Sequence, residues 1–177
     1  MNAARENILN RVRAALQLEG AAPAAPSAVA PFTPVTNPLP RFRDEFIALR
    51  GELIEDLSAF LAGFPKITSD DAAVPGNAAV HEADLGITGC ECLIAQTGTI
   101  VVSTRAISVL PPVHLVIARP DQIVPDLAAA FEFLRHRYDG RWPDAISFIT
   151  GPSRTADIEK ILVMGAHGPK RLALHLA

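Results

Sequence analysis

Val113-His114-Leu115-Val116-Ile117-Ala118 is an apolar run, and the segments that follow it decide the fold. Pro111-Pro112 mark its start, and its length and branched residues predict a buried strand. Pro125 suits the first position of a helix over residues 126–137, where Leu127, Phe131 and Leu134 recur as a core stripe. A second strand is predicted over 145–149, a helix over 155–164 and a last strand over 172–176, with Gly165 closing that helix. Apolar strands alternating with helices argue an α/β domain whose mostly parallel sheet is flanked by helices.

Working upstream, Leu93-Ile94-Ala95 and Ile100-Val101-Val102 flank Gln96-Thr97-Gly98-Thr99 and predict two strands joined by a tight turn. A short strand is predicted at 78–81. Phe46, Leu49, Leu53, Leu57 and Phe60 repeat at helical spacing and predict one packing helix. Residues 20–40 carry six of the fifteen prolines and read as an extended linker that forms neither helix nor central strand. Ahead of it, residues 3–18 predict a short helix with Ile8, Val12 and Leu16 on one stripe. The expected organisation is therefore a helical arm (1–18), a Pro/Ala-rich linker (19–41) and an α/β domain (42–177). Such an arm docks on its own domain, a twin subunit or another protein, or frays as a tail.

Composition narrows the function. A chain of 177 residues, 49% hydrophobic, buries enough surface to fold without a disulfide or a structural metal. Net charge is −3 and the arginines are dispersed, which argues against nucleic acid as partner. No apolar run approaches the ~20 residues of a membrane span, and the N-terminus lacks a signal-peptide core, so the expected location is the cytoplasm. Cys90 and Cys92 are too few thiols for an iron–sulfur cluster, which usually needs four ligands. The histidines show no paired metal-ligand spacing.

Gly151-Pro152-Ser153-Arg154-Thr155-Ala156-Asp157-Ile158-Glu159 joins the predicted 145–149 strand to the predicted helix. Ser153 and Thr155 suit the helix cap, and Arg154 places a guanidinium beside its first N–H groups. That combination favours a carboxylate or phosphate. The same residues also describe a well-capped turn with a solvated Arg. Ligands of open α/β sheets lie outside the carboxyl ends of the strands. Three turns are expected to meet there: Gln96 to Thr99, Ser103-Thr104-Arg105, and Gly151 to Thr155. The ligand-binding candidates are Thr97, Gly98, Thr99, Arg105, Gly151, Ser153, Arg154 and Thr155. Gly98 alternatively serves the hairpin alone, and Arg105 is alternatively a surface charge. His167 is a weak catalytic candidate that could equally cap the preceding helix. Glu91 and Asp84 are further acid–base candidates, and His114 reads as a satisfied core residue.

The 151–159 stretch, with Gly165-Ala166-His167-Gly168-Pro169, Gly86-Ile87-Thr88-Gly89 and Gln96-Thr97-Gly98-Thr99, resembles the LUD domain of lactate-utilisation proteins of the LutC/YkgG type. The resemblance runs from about Phe42 to the C-terminus. It implies a fold similar to the sugar-phosphate isomerase and CoA-transferase superfamily. It also implies a component of an iron–sulfur-dependent system oxidising L-lactate to pyruvate, with the clusters on LutA/LutB-type partners and no cofactor in this chain. Gln96 stands where such domains read Glu, and an amide cannot serve as an acyl-anhydride nucleophile. The implied role is an accessory or ligand-binding component holding a small organic acid or a phosphate-bearing ligand. The alternatives are a stand-alone isomerase- or transferase-like enzyme on a phosphorylated or acyl substrate, and a metabolite sensor. The purified chain is expected to be colourless, with iron and acid-labile sulfide assays on anaerobic protein returning no stoichiometric metal.

Overall fold

The computed structural model describes residues 3–16, 34–155, 163–164 and 168–177. The chain divides into two units, 1–33 and 34–177. The first holds helix α1 (Ala3–Leu16). In the second, α2 (Pro38–Ala48) is followed by β1 (Glu52–Leu53), α3 (Leu57–Leu61), β2 (Ile67–Ser69), β3 (Leu85–Thr88), β4 (Cys92–Ile94) and β5 (Thr99–Val102). Then come α4 (Ala106–Val109), β6 (Val113–Ala118), β7 (Ile123–Val124), α5 (Leu127–Tyr138), β8 (Ser147–Ile149), β9 (Arg154–Thr155), β10 (Val163–Met164) and β11 (Arg171–Leu176).

The run quoted first is the middle of the molecule. β6 is the central strand of a five-stranded sheet ordered β1-β11-β6-β3-β2, and every pairing in it is parallel. This is the parallel sheet expected of an α/β fold. A second sheet, β7-β4-β5-β8, carries the 92–102 hairpin and pairs β5 antiparallel with β8. The sequence reading did not separate the two sheets.

Side chains alternate across each strand, and that alternation builds the layers. Val116, Ala118, Leu172 and Leu174 from the parallel sheet meet Leu93, Ile100 and Val102 from the second sheet, with Phe42 and Phe46 of α2 in the same core. The opposite side chains of the parallel sheet, Leu85, Ile87, Val113, Leu115 and Ala173, pack with Leu57, Phe60 and Leu61 of α3. Outside the second sheet, Cys92, Ile94 and Val101 pack on Ala130 and Leu134 of α5.

Several expectations are corrected. The single helix through 46–60 is broken after Ala48: the Arg50 N–H reaches the Ile47 carbonyl and the Gly51 N–H reaches the Phe46 carbonyl, with Arg50 at φ 68°. These two bonds satisfy carbonyls at the helix end. Gly51 is required by packing, since a Cβ there would stand 2.5 Å from the Phe46 ring. Glu52 and Leu53 then pair with Ala173 and Leu174. At the other end of α2, Pro38 to Pro40 form its first turn, where proline's missing N–H costs nothing, so the linker does not run to residue 40. Residues 78–81 form no strand, with turn at 80–81, and the strands in that region are β2 and β3.

In α5, Leu127 and Phe131 are about half exposed, so the buried stripe is Ala130 and Leu134. Pro125 precedes the cap residue, and Asp126 accepts from the Ala129 N–H. The predicted 155–164 helix is contradicted at both ends. Arg154 and Thr155 are extended and pair antiparallel with Met164 and Val163. A short apolar run such as 161–164 cannot be assigned to helix or strand by periodicity. Residues 156–162, Gly165 and His167 lie outside the described residues. Among the described residues no helix is long and apolar enough to cross a membrane.

Gly98 joins β4 to β5 at φ +61°, and a Cβ there would meet the Phe46 backbone N at 2.6 Å and the Glu45 carbonyl carbon at 2.8 Å. Gly140 has φ +78° and open space around it. Gly98→Ala should therefore cost roughly 3 kcal/mol or more, from backbone strain plus a clash with backbone. Gly140→Ala should cost about 1 kcal/mol from strain alone. Urea unfolding of both variants checks this, and equal losses would refute the close approach at Gly98.

Candidate functional site

Strand geometry decides which of the predicted site residues can meet. β5 runs antiparallel to β8, so the start of β5 lies beside the end of β8: Ile100 pairs with Ile149. The Gln96 to Thr99 turn and the Thr150–Gly151 turn are therefore neighbours. A chain of hydroxyls joins them: Thr97 Oγ1 to Thr99 Oγ1 at 2.7 Å, and Thr99 Oγ1 to Thr150 Oγ1 at 2.8 Å. Both turns lean on the end of α2, because a Cβ on Gly151 would stand 2.8 Å from the Leu49 carbonyl oxygen. What Gly98 and Gly151 admit closely is this helix.

Ser103-Thr104-Arg105 lies at the other end of β5, roughly 13 Å away along four extended residues. The three turns therefore do not converge. Arg105 is exposed and precedes α4. Arg154 is also exposed. Its Nη2 lies 3.3 Å from where a Cβ on Gly151 would stand. Because Arg154 and Thr155 are strand, the helix N-terminus that would have supplied N–H groups to an anion does not begin there.

Among the described residues, cavities open at both ends of the parallel sheet. The first, about 260 Å³, is lined by Gly151, Pro152 and Ser153 together with Gly168 and Pro169. The Ser153 N–H donates to the Pro169 carbonyl at 2.9 Å, fastening the two loops. Two of the predicted ligand-binding residues, Gly151 and Ser153, thus border it. His114, fully buried near the start of β6, forms part of the lining. Its Nε2 is 2.9 Å from Thr88 Oγ1, whereas Nδ1 has no hydrogen-bond partner. The expectation of a satisfied core histidine holds for one nitrogen only. Burial pushes its pKa down to about 4, so the ring is neutral near pH 7.

The second cavity, about 240 Å³, lies just past the ends of β2 and β3 and is lined by Asp70, Glu91, Cys90, Ser103, Thr104 and Arg137 among others. Glu91 is buried. Its Oε1 accepts from Ser103 Oγ at 2.7 Å, and its Oε2 pairs with Arg137 Nε at 2.5 Å. Desolvation raises the Asp70 carboxyl above its ordinary value. Burial pushes the Cys90 thiol up to about 12, which keeps it protonated. Glu91 was legible as an acid–base candidate. Asp70 and Arg137 were not, because nothing in the sequence brings residues 70, 91 and 137 together. Asp84, the other candidate, does not line this cavity.

With this geometry in place, comparison with known proteins gives the family. The LUD-domain model matches residues 44–176. The chain belongs to the LUD-domain family. It is 37% identical over 100 residues to lactate utilization protein C of Bacillus subtilis (strain 168), covering 52% of this chain and 42% of that protein. It is 36% identical over 102 residues to lactate utilization protein C of Geobacillus kaustophilus (strain HTA426), covering 54% and 42%. The match thus spans less than half the length of these relatives. The fold is similar to the crystal structure of a DUF162 family protein from Deinococcus radiodurans, with TM-score 0.60 and 22% identity over 78% of this chain and 94% of that one.

His114 gives this LUD domain a testable acid response. In the unfolded chain the ring takes a proton near its ordinary value of 6.5, and in the folded chain near 4. The unfolded state thus binds more protons between these values. The stability this neutral ring contributes is complete above pH 6.5 and is lost as pH falls towards 4, by about 3 kcal/mol. Urea unfolding across this window should show a steeper loss for the parent than for His114→Gln. Matching slopes would refute the shift.

Proposed function

We propose that this chain is an accessory, ligand-binding component of an iron–sulfur-dependent system that oxidises L-lactate to pyruvate in the cytoplasm. The redox clusters belong to LutA/LutB-type partners, and the chain itself holds no cofactor. One observation carries this reading: the 36–37% identity to proteins named lactate utilization protein C. The Gly151–Ser153 cavity is the place for its small organic acid or phosphate-bearing ligand. Among the described residues its lining gives backbone and hydroxyl groups but no carboxylate to repel an anion.

A second reading is favoured by the other cavity. Asp70 and Glu91 flank the carboxyl ends of β2 and β3, where open α/β sheets place their ligands. On that reading the chain is a stand-alone isomerase- or transferase-like enzyme, with Glu91 moving a proton on a phosphorylated or acyl substrate. Gln96 offers no carboxylate for acyl transfer, and its hairpin leans on α2 rather than on this cavity.

The two readings separate in one experiment. The chain is purified with its co-purifying partners, and L-lactate-dependent reduction of an artificial electron acceptor is followed anaerobically. The accessory reading expects turnover by the complex, loss of turnover when this chain is omitted, and none by the chain alone. Full activity of the complex without the chain would overturn it. Turnover of a phosphorylated or acyl substrate by the isolated chain, abolished in Glu91→Gln, would establish the alternative.

A further inference from the structure

His114 carries an unused hydrogen-bonding group at the cavity bordered by Gly151 and Ser153. His114 itself lines this cavity, and the group is Nδ1, which is buried without a partner. β6 lies between β3 and β11. Thr88, on β3, engages Nε2. On the β11 side Leu172, the register partner of His114, lines the cavity with Pro169.

The proton can be placed as well. Thr88 is buried, and its hydroxyl has no other hydrogen-bond partner among the described residues. A hydroxyl has one hydrogen to donate, and a neutral imidazole has one N–H and one acceptor nitrogen. If Thr88 donates to Nε2, both groups are served at that contact, and the ring proton resides on Nδ1. The reverse arrangement leaves two buried groups without partners, the Thr88 hydrogen and an unprotonated Nδ1, where this one leaves only the Nδ1 proton. The group left without a partner is therefore a neutral N–H donor, and it calls for an oxygen acceptor.

The rest of the lining defines that acceptor. Ser147 and Ser153 line the cavity too, and neither hydroxyl makes a hydrogen bond among the described residues. Val109, Ile149 and Leu172 make much of the remaining wall apolar. Neutral donors beside apolar walls suit a planar monoanion with a short hydrocarbon stem. A phosphate dianion would exchange full hydration for too few donors.

Resting on the reading of this cavity as the ligand site, we infer that it takes a small monocarboxylate, lactate- or pyruvate-sized, one oxygen of which accepts the Nδ1–H bond of His114. His114 is thereby a specificity-determining residue that separates carboxylates from phosphate-bearing ligands.

The test uses the full chain labelled with nitrogen-15, with ring tautomers read by long-range proton–nitrogen correlation. The free chain should show His114 with its proton on Nδ1. Sodium pyruvate and sodium L-lactate should shift that nitrogen saturably, and inorganic phosphate should not. His114→Gln keeps an amide near the Thr88 contact and leaves nothing at the Nδ1 position. It should weaken pyruvate binding roughly ten- to hundredfold. His114→Asn places an amide at the Nδ1 position and should bind within about threefold of the parent. A proton on Nε2 in the free chain, a phosphate titration as strong as that of pyruvate, or unweakened binding by His114→Gln would each overturn the inference. The tautomer and the titration are read on the unmutated chain, so they decide the matter even if a variant fails to fold. They also stand apart from the lactate-oxidation assay. A chain dispensable for that oxidation but titrating through Nδ1 sinks the functional reading alone. A chain required for it but indifferent to monocarboxylates sinks the inference alone.

Discussion

The seat of helix α2 against the second sheet is the constraint on which the rest of the domain depends. Phe42 and Phe46 stack at 5.5 Å and are fully buried in the core shared by both sheets. The rings can enter only if backbone comes close behind them. Gly98 approaches the Glu45–Phe46 backbone, Gly51 lies on the Phe46 ring, and Gly151 approaches the Leu49 carbonyl. Three chain segments distant in sequence are thus held to one helix end. That contact fixes where the 96–99 and 150–151 turns meet, and with them the threonine hydroxyl chain.

Because the space between the layers is filled by apolar side chains, polar groups are displaced to its ends. At one end His114 stands at the start of β6, with the 151–153 and 168–169 loops closing over it. At the other, Glu91 follows β3 and is held by Ser103 and Arg137. The two ends differ in chemistry. The first offers neutral donors and apolar walls. The second offers carboxylates offset by one half-exposed guanidinium. A monoanion suits the first, and proton transfer suits the second.

Element types were legible where burial imposes a pattern strong enough to survive context. The 113–118 strand, the 92–102 hairpin, the α5 helix and the final strand all follow from apolar runs with clear punctuation. The failures have a common physical cause. The 46–60 stripe is helical in spacing, yet it spans Gly51, whose place is set by the Phe46 ring in three dimensions. The predicted 155–164 helix starts from good capping residues, but Arg154 and Thr155 find strand partners at 163–164. Leu127 and Phe131 share a helical stripe with Leu134, yet α5 faces the second sheet with Ala130 and Leu134.

By itself, the sequence determined that this chain builds an α/β domain around apolar parallel strands. It also determined that the 113–118 run and the 92–102 hairpin are buried strands. Those properties follow from local periodicity, composition and motif, each readable within a few tens of residues. The tertiary structure alone decided that the strands divide between a five-stranded and a four-stranded sheet, with β9–β10 paired apart, and that the glycine turns press against a helix. It alone left His114 Nδ1 without a partner and gathered Asp70, Glu91 and Arg137 at one cavity. These depend on contacts between residues tens of positions apart. Such contacts are fixed by packing and by the pairing of buried polar groups, and neither leaves a period in the sequence.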